Sequence, residues 1–213
     1  MTDPDTEPRD AVPATTPPGA SARQRPGSRP VEPPPAPDLT EPWSATPVTS
    51  EEGQTIELVA RWMAAPHVAR HWHQDWSIDE WGAEIDAQRA HPHSRPWIVA
   101  HEGEPVAYVE VYRPAIDLLT GSMTTDPHDL GVHLAVGDPG RVGRGVGSAV
   151  LRAVGDGLLA ADPECRRVLG DPDTGHDAAR GAFAKAGYRL VAEVDLPHKR
   201  AAVMALERKE DVA

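Results

Sequence analysis

Glycines at 143, 145 and 147, within Val142-Gly143-Arg144-Gly145-Val146-Gly147, have the spacing of an anion-binding turn. Glycine lets a backbone approach an anion closely, and the first free N–H groups of a following helix point at it with the positive end of the helix dipole. Arg141 and Arg144 add positive charge there. A glycine-rich turn that only caps a helix would have the same spacing, so the glycines alone leave both readings open. A dinucleotide-binding unit is disfavoured because antiparallel-type strands precede the loop, and a nucleoside-triphosphate loop would need a Gly-Lys-Ser/Thr ending. His67, His71 and His73 form H-x3-H-x-H. Without a carboxylate-rich shell, that pattern reads as a helix edge rather than a metal site, and no metal is expected. All six tryptophans lie between Trp43 and Trp97. Trp62, Trp81 and Trp97 read as core. Trp72 and Trp76, beside Gln74 and Asp75, read equally as core or as the lining of a groove for an aliphatic chain or a lysine stem.

The elements that must position these residues can be traced along the chain. Residues 51–65 have apolar positions at roughly helical spacing, and Pro66 is expected to stop that helix. Ser77, with Glu80 three residues on, predicts the start of a second helix running toward Ala90. Trp97–Ala100 and Val106–Tyr112 read as a hairpin across the polar turn 101–105, followed by a polar loop from Pro114 to about Asp129. Leu130–Val136 reads as a central strand and Val146–Ala160 as a helix with a broad apolar face. A short strand at 167–170, a helix at 178–186, and strands at 188–193 and 200–206 complete the order. There is no internal repeat.

Eleven of the 23 prolines fall between Pro4 and Pro37, in a stretch nearly free of large apolar residues. Residues 1–40 are therefore expected to be a disordered proline-rich tail, and 41–213 one folded domain. The tail has no apolar core of a secretory signal, and nowhere does the chain approach the ~18 apolar residues of a membrane span. The single cysteine, Cys165, excludes an intrachain disulfide framework. A cytoplasmic protein is the expectation. The net charge is −12; residues 1–40 hold six acidic and four basic residues, so the remainder carries −10. That balance disfavours nucleic acid as a partner, because such binding rests on phosphate neutralisation, and suits a cationic small molecule such as an amine.

The strand–glycine loop–helix order resembles the GCN5-related N-acetyltransferase (GNAT) superfamily, whose pyrophosphate loop has the form Arg/Gln-x-x-Gly-x-Gly/Ala. Val142 stands here at its first position. Asp126-Pro127-His128-Asp129-Leu130-Gly131-Val132-His133, Cys165-Arg166-Arg167-Val168-Leu169-Gly170-Asp171-Pro172-Asp173 and Ala184-Lys185-Ala186-Gly187-Tyr188 narrow the likeness. Together with His71-Trp72-His73-Gln74-Asp75-Trp76 and Trp81, they are similar to siderophore-assembly acyltransferases. The lysine N-acyltransferases of mycobactin assembly are the nearest in pattern and the aerobactin-type acetyltransferases more distant. The likeness spans about residues 55–208. Gly175-His176 replaces the Arg-Asn usual in that branch, and Phe183 stands where many superfamily members place a tyrosine.

The resemblance implies a mixed, mainly antiparallel α/β sheet, splayed between strands 130–136 and 167–170, with helices on both faces. It implies catalytic roles for His133 and Asp171, contacts to the pantetheine arm from Leu134, Ala135 and Val136, and pyrophosphate binding by Val142 to Gly147. Trp72, Trp76 and Asp173 are the candidate substrate contacts. A histidine of unperturbed pKa ~6.5 is poised to take a proton from an attacking amine near neutrality, and a carboxylate can orient it. The donor expected is acyl-CoA, acetyl-CoA or an acyl-carrier-protein thioester, with that carrier protein a candidate partner. The acceptor expected is the N6-amine of lysine or N6-hydroxylysine, transferred directly without an acyl-cysteine. The rivals are an aminoglycoside or polyamine acetyltransferase and a non-catalytic acyl-CoA-binding domain.

Overall fold

In the computed structural model, residues 32–209 are described, and residues 1–31, most of the expected tail, lie outside them. Seven strands form one sheet: β1 (Trp43–Pro47), β2 (Ser94–His101), β3 (Glu104–Tyr112), β4 (Leu130–Val136), β5 (Arg167–Gly170), β6 (Arg189–Leu196) and β7 (Lys199–Glu207). Their spatial order is β1-β2-β3-β4-β5-β7-β6, and every adjacent pair is antiparallel except β4 with β5. Five helices cover it: α1 (Gly53–Met63), α2 (Pro66–Trp72), α3 (Ile78–Ala90), α4 (Val146–Ala161) and α5 (Asp177–Lys185). This is the GNAT fold, with helices on both faces.

Strand alternation sorts the two faces. Val109, Val111 and Val132 pack on Val150, Leu151, Val154 and Leu158 of α4 and on Phe183 of α5. On the opposite face, Ile98, Tyr108 and Ala135 pack on Ile56, Val59, Trp62, Trp81 and Ile85 of α1 and α3. Trp62 and Trp81 are thus core, as the sequence predicts, and Trp97 packs partly buried against the first cluster. Ser77 closes a complete capping box: its hydroxyl accepts from the Glu80 amide, and the Glu80 carboxylate accepts from the Ser77 amide at 2.8 Å.

Three local readings change. α1 ends at Met63, ahead of Pro66 as expected, but Pro66 also opens a further helix, α2, as its first residue, where its missing N–H is not needed. β1 has no strong apolar pattern and is held by pairing along its whole length with β2, from Trp43↔His101 to Pro47↔Trp97. Residues 32–40, read as the end of the tail, lie against the domain. The Asp38 amide donates to Gly157 O at 3.0 Å, Arg113 Nε donates to Glu32 O at 3.0 Å, and Leu39 packs on the core.

The splay arises where β4 meets β5. Their parallel pairing is confined to Leu130↔Val168 and Gly131↔Leu169. Past Gly170 the chain runs into Asp171-Pro172, and proline has no N–H to extend the ladder. From Val132 onward, β4 therefore has no strand on its β5 side.

Candidate active site

The opening of the splay lies at the N-terminus of α4. Gly145 is the helix N-cap at φ 85° and Gly143 sits at φ 76°, both in the left-handed region that favours glycine. No side chain of the N-cap bonds to α4, so its first-turn N–H groups lack a capping side chain. Val142, Gly143, Arg144 and Gly145 are exposed, while Val146 and Gly147 are half-buried. Leu134, Ala135 and Val136 follow on β4, where His67 Nε2 lies 2.9 Å from the Val136 carbonyl.

His133 and Asp171 come together on the opposite face. His133 Nε2 is 3.1 Å from Asp171 Oδ1, although the residues are 38 positions apart. β4 carries His133 beyond the last β5 pair, and Asp171 is the first residue past β5, so each arm of the splay holds one group. His133 Nδ1 in turn faces Glu110 Oε2 at 3.3 Å. Register explains that contact, because Glu110 is the residue paired with His133 across β3 and β4. Glu110 also accepts from Tyr108 Oη and Gln88 Nε2, both at 2.9 Å. Asp171 accepts from Tyr112 Oη at 2.9 Å and pairs with Lys199 Nζ at 2.9 Å. The Tyr112 ring stacks on the His133 ring with centroids 4.5 Å apart, and the Trp72 ring meets it edge-on at 6.1 Å. The imidazole is 28% exposed, whereas the flanking carboxylates are 4% and 6% exposed. The ring is what an incoming molecule reaches.

Two carboxylates on one imidazole alter its protonation. Burial alone would pull the His133 pKa down, but the charge and hydrogen bond of Asp171, with those of Glu110, override it and push the value up to about 10. This corrects the expectation of a ring near its unperturbed pKa: in this arrangement it is an imidazolium donating to both sides. Asp171 is held well below the carboxylate range, since Lys199 and His133 outweigh the burial that would raise it. Burial and the Asp171 charge push the Tyr112 hydroxyl well up, so it remains a donor.

Gly131 is required for this packing, because a Cβ there would fall inside the Tyr112 ring. Gly131→Ala is expected to destabilise the protein by about 1–3 kcal/mol through overpacking, checked by denaturant unfolding.

The remaining candidates separate. Trp72 lies edge-on to the His133 ring, while Trp76 lies against buried Trp81, ring centroids 5.1 Å apart. Asp173 Oδ1 accepts from the Gly175 amide at 2.7 Å, shaping the turn before α5. α5 begins at Asp177, with His176 in its N-cap position. The His176 ring stacks on His71 of α2, centroids 3.6 Å apart, linking elements on either side of the splay. His67 Nε2 meets the Val136 carbonyl, the His71 ring stacks on His176 and His73 is the left-handed C-cap of α2; among the described residues no group of three or more His, Cys, Asp or Glu is arranged to hold a metal. Cys165 is buried beneath the sheet, its thiol pushed up to about 11 by burial. Phe183 packs edge-on against buried Tyr188. Among the described residues, no helix is long and apolar enough to cross a membrane.

Glu110, Tyr112 and Lys199 were not singled out from the sequence. Glu110 had a signal: it is the lone charged residue inside the apolar strand Val106–Tyr112, and a buried charge demands a partner. Lys199, next to a hairpin turn, had none.

Comparison with known proteins follows the same outline. Residues 52–196 match the family model described as an acetyltransferase (GNAT) domain. The chain is 34% identical over 174 residues to lysine N-acyltransferase MbtK of Mycobacterium tuberculosis, covering 82% of this chain and 81% of that protein. It is 32% identical over 152 residues to N(6)-hydroxylysine O-acetyltransferase of Escherichia coli, covering 71% of this chain and 48% of that protein. In three dimensions it superposes on an uncharacterized protein of Bacillus halodurans with TM-score 0.73 at 24% identity, over 81% of this chain and 90% of that one. It superposes on aminoglycoside acetyltransferase AAC(6')-Ib in complex with coenzyme A with TM-score 0.66 at 22% identity, over 78% and 95%. The chain belongs to the GNAT acetyltransferase family and is an acyltransferase.

Proposed function

We propose that this enzyme moves an acyl group from a CoA or acyl-carrier-protein thioester to the N6-amine of lysine, or of N6-hydroxylysine, in the assembly of a hydroxamate siderophore. The observation that carries this reading is the His133 imidazole held between Glu110 and Asp171 beside Trp72, in a chain similar over four-fifths of its length to lysine N-acyltransferases. The acidic surroundings suit a cationic acceptor, and Trp72 offers an apolar face to its methylene stem. The likeness to aminoglycoside acetyltransferases is one of fold, at 22% identity.

In the mechanism proposed, the pyrophosphate of the donor lies on the turn from Val142 to Gly147 against the N-terminus of α4, and the pantetheine arm runs along Leu134, Ala135 and Val136 into the splay. A backbone N–H of that unpaired β4 edge polarises the thioester carbonyl. The acceptor ammonium arrives from the His133 face and binds beside Asp171. Three cations, the acceptor, Lys199 and the imidazolium, then crowd Asp171, which favours loss of the imidazolium's proton to solvent. The neutral ring takes one proton from the ammonium and frees its lone pair; the amine attacks and the N–C bond forms, the C–S bond breaks with the thiolate leaving on the bonding electrons, and the second proton passes from nitrogen to solvent. Phe183 can donate no proton to it, so departure of the thiolate relies on its own low basicity.

Gly145→Ala would force a Cβ into the left-handed region, a conformation costing about 1–2 kcal/mol. The expected result is a rise of about tenfold in KM for the thioester with kcat largely kept, measured by steady-state kinetics. The overall reading is tested with an acceptor panel under fixed donor. Lysine and N6-hydroxylysine are expected to turn over, and turnover confined to kanamycin or spermidine would overturn it.

A further inference from the structure

Lys199 places a lysine side chain where the acceptor's own amine is expected. The β6–β7 hairpin turns at Pro197-His198, and the next residue sets its Nζ 2.9 Å from Asp171 Oδ2. The other oxygen of that carboxylate is the one that meets His133 Nε2. A primary amine on a four-carbon stem thus already lies one carboxylate away from the imidazole, and it is 21% exposed. Composition sharpens the point. The chain contains eighteen arginines and three lysines. If position 199 served only to neutralise Asp171, a guanidinium would do so at least as well, with a planar fork matched to a carboxylate. Lysine differs in being able to act as a nucleophile once deprotonated. The two other lysines, Lys185 at the end of α5 and Lys209 beyond β7, are exposed on the surface.

We propose that Lys199 is a tethered acceptor, whose Nζ takes the acyl group from the bound thioester when no free amine occupies the site. This rests on the amine-acceptor reading above. In the step, the His133 imidazolium first gives its proton to solvent; the neutral ring then takes one proton from the Lys199 ammonium, restoring the imidazolium, and the freed lone pair attacks the thioester carbonyl. The N–C bond forms, the C–S bond breaks, and sulfur leaves with the bonding electrons. A second proton leaves nitrogen as the amide forms; in the net balance one proton ends on the thiol and one in solvent. The product is a neutral N6-acyl-lysine in the β6–β7 hairpin, which no longer pairs with Asp171 as a cation.

The full-length enzyme is incubated with acetyl-CoA, and separately with a long-chain acyl-CoA, with no amine acceptor, and its peptides are mapped by mass spectrometry. Lys199 is expected to be acylated at least about tenfold faster than Lys185 or Lys209, because a positioned amine has a high effective concentration. The modification is expected to be suppressed by saturating free lysine and lost in His133→Ala. An unmodified Lys199 in a preparation that acylates free lysine overturns the tethered acceptor alone. Equal labelling of all three lysines, or labelling that survives His133→Ala, also overturns it. Failure to acylate Lys199 and every free amine overturns both this inference and the acceptor reading on which it rests.

Discussion

His133→Ala is expected to lower kcat by about 10²- to 10⁴-fold, the range over which a positioned acid–base group contributes. Thioester affinity should be nearly unchanged, because the glycine turn and the N-terminus of α4 sit on the other side of the sheet from the imidazole. The substitution removes the one ring that both carboxylates face, leaving Glu110 with Tyr108 and Gln88, and Asp171 with Tyr112 and Lys199. Those remaining hydrogen bonds keep the buried carboxylates partnered, so the fold should survive. Thioester binding by titration calorimetry together with single-turnover rates separates the two effects. A matching loss of thioester affinity would instead mark His133 as part of the donor site.

Asp171→Asn is expected to cost a similar order in kcat, about 10²-fold or more, and to move the pH dependence in a defined direction. In the mechanism proposed the neutral imidazole accepts the proton, so activity is expected to climb with pH toward the imidazole pKa. With that value pushed up to about 10 by Asp171 and Glu110, the climb in kcat/KM for the free enzyme lies on the alkaline side of neutrality. Asparagine keeps the shape but removes the negative charge that raises the ring's pKa. The climb should therefore shift to lower pH while the plateau falls. Ionisation of the acceptor amine, itself near ~10.4 for lysine, adds a second climb common to both enzymes, which cancels in their comparison. The same sign governs stability. The stabilisation from the raised imidazole pKa is fully present below the unfolded value of about 6.5 and is lost as pH rises through about 10. Profiles of kcat/KM and of denaturation midpoint against pH, in wild type and variant, read both consequences.

Much of the scaffold was legible because its signals are local. The apolar run Leu130–Val136 and the strand at Arg167–Gly170 are reproduced as β4 and β5, and Ser77 with Glu80 marks the start of α3 through its capping box. The glycines at 143 and 145 do sit at positive φ, where a turn into a helix needs them. β1 was not legible, since an edge strand held by backbone pairing needs no apolar pattern. The pairing of His133 with Asp171 followed from resemblance to a family and not from spacing. Glu110 and Lys199 depend on register and on a hairpin, which only the folded sheet supplies. Consequently the imidazole, read from the sequence as near its unperturbed pKa, has that pKa raised in the fold: its second carboxylate comes from a neighbouring strand 23 residues away.

Identifying the acylated product tests the central claim most directly. Wild-type enzyme and His133→Ala, each given the same acyl thioester and lysine or N6-hydroxylysine, are compared by locating the acyl group with tandem mass spectrometry. The expected result is acyl at N6 with wild type and product reduced by at least about 10²-fold with the variant. Acyl at the α-amine, or equal product from both enzymes, would contradict the assignment of this site to lysine N-acylation.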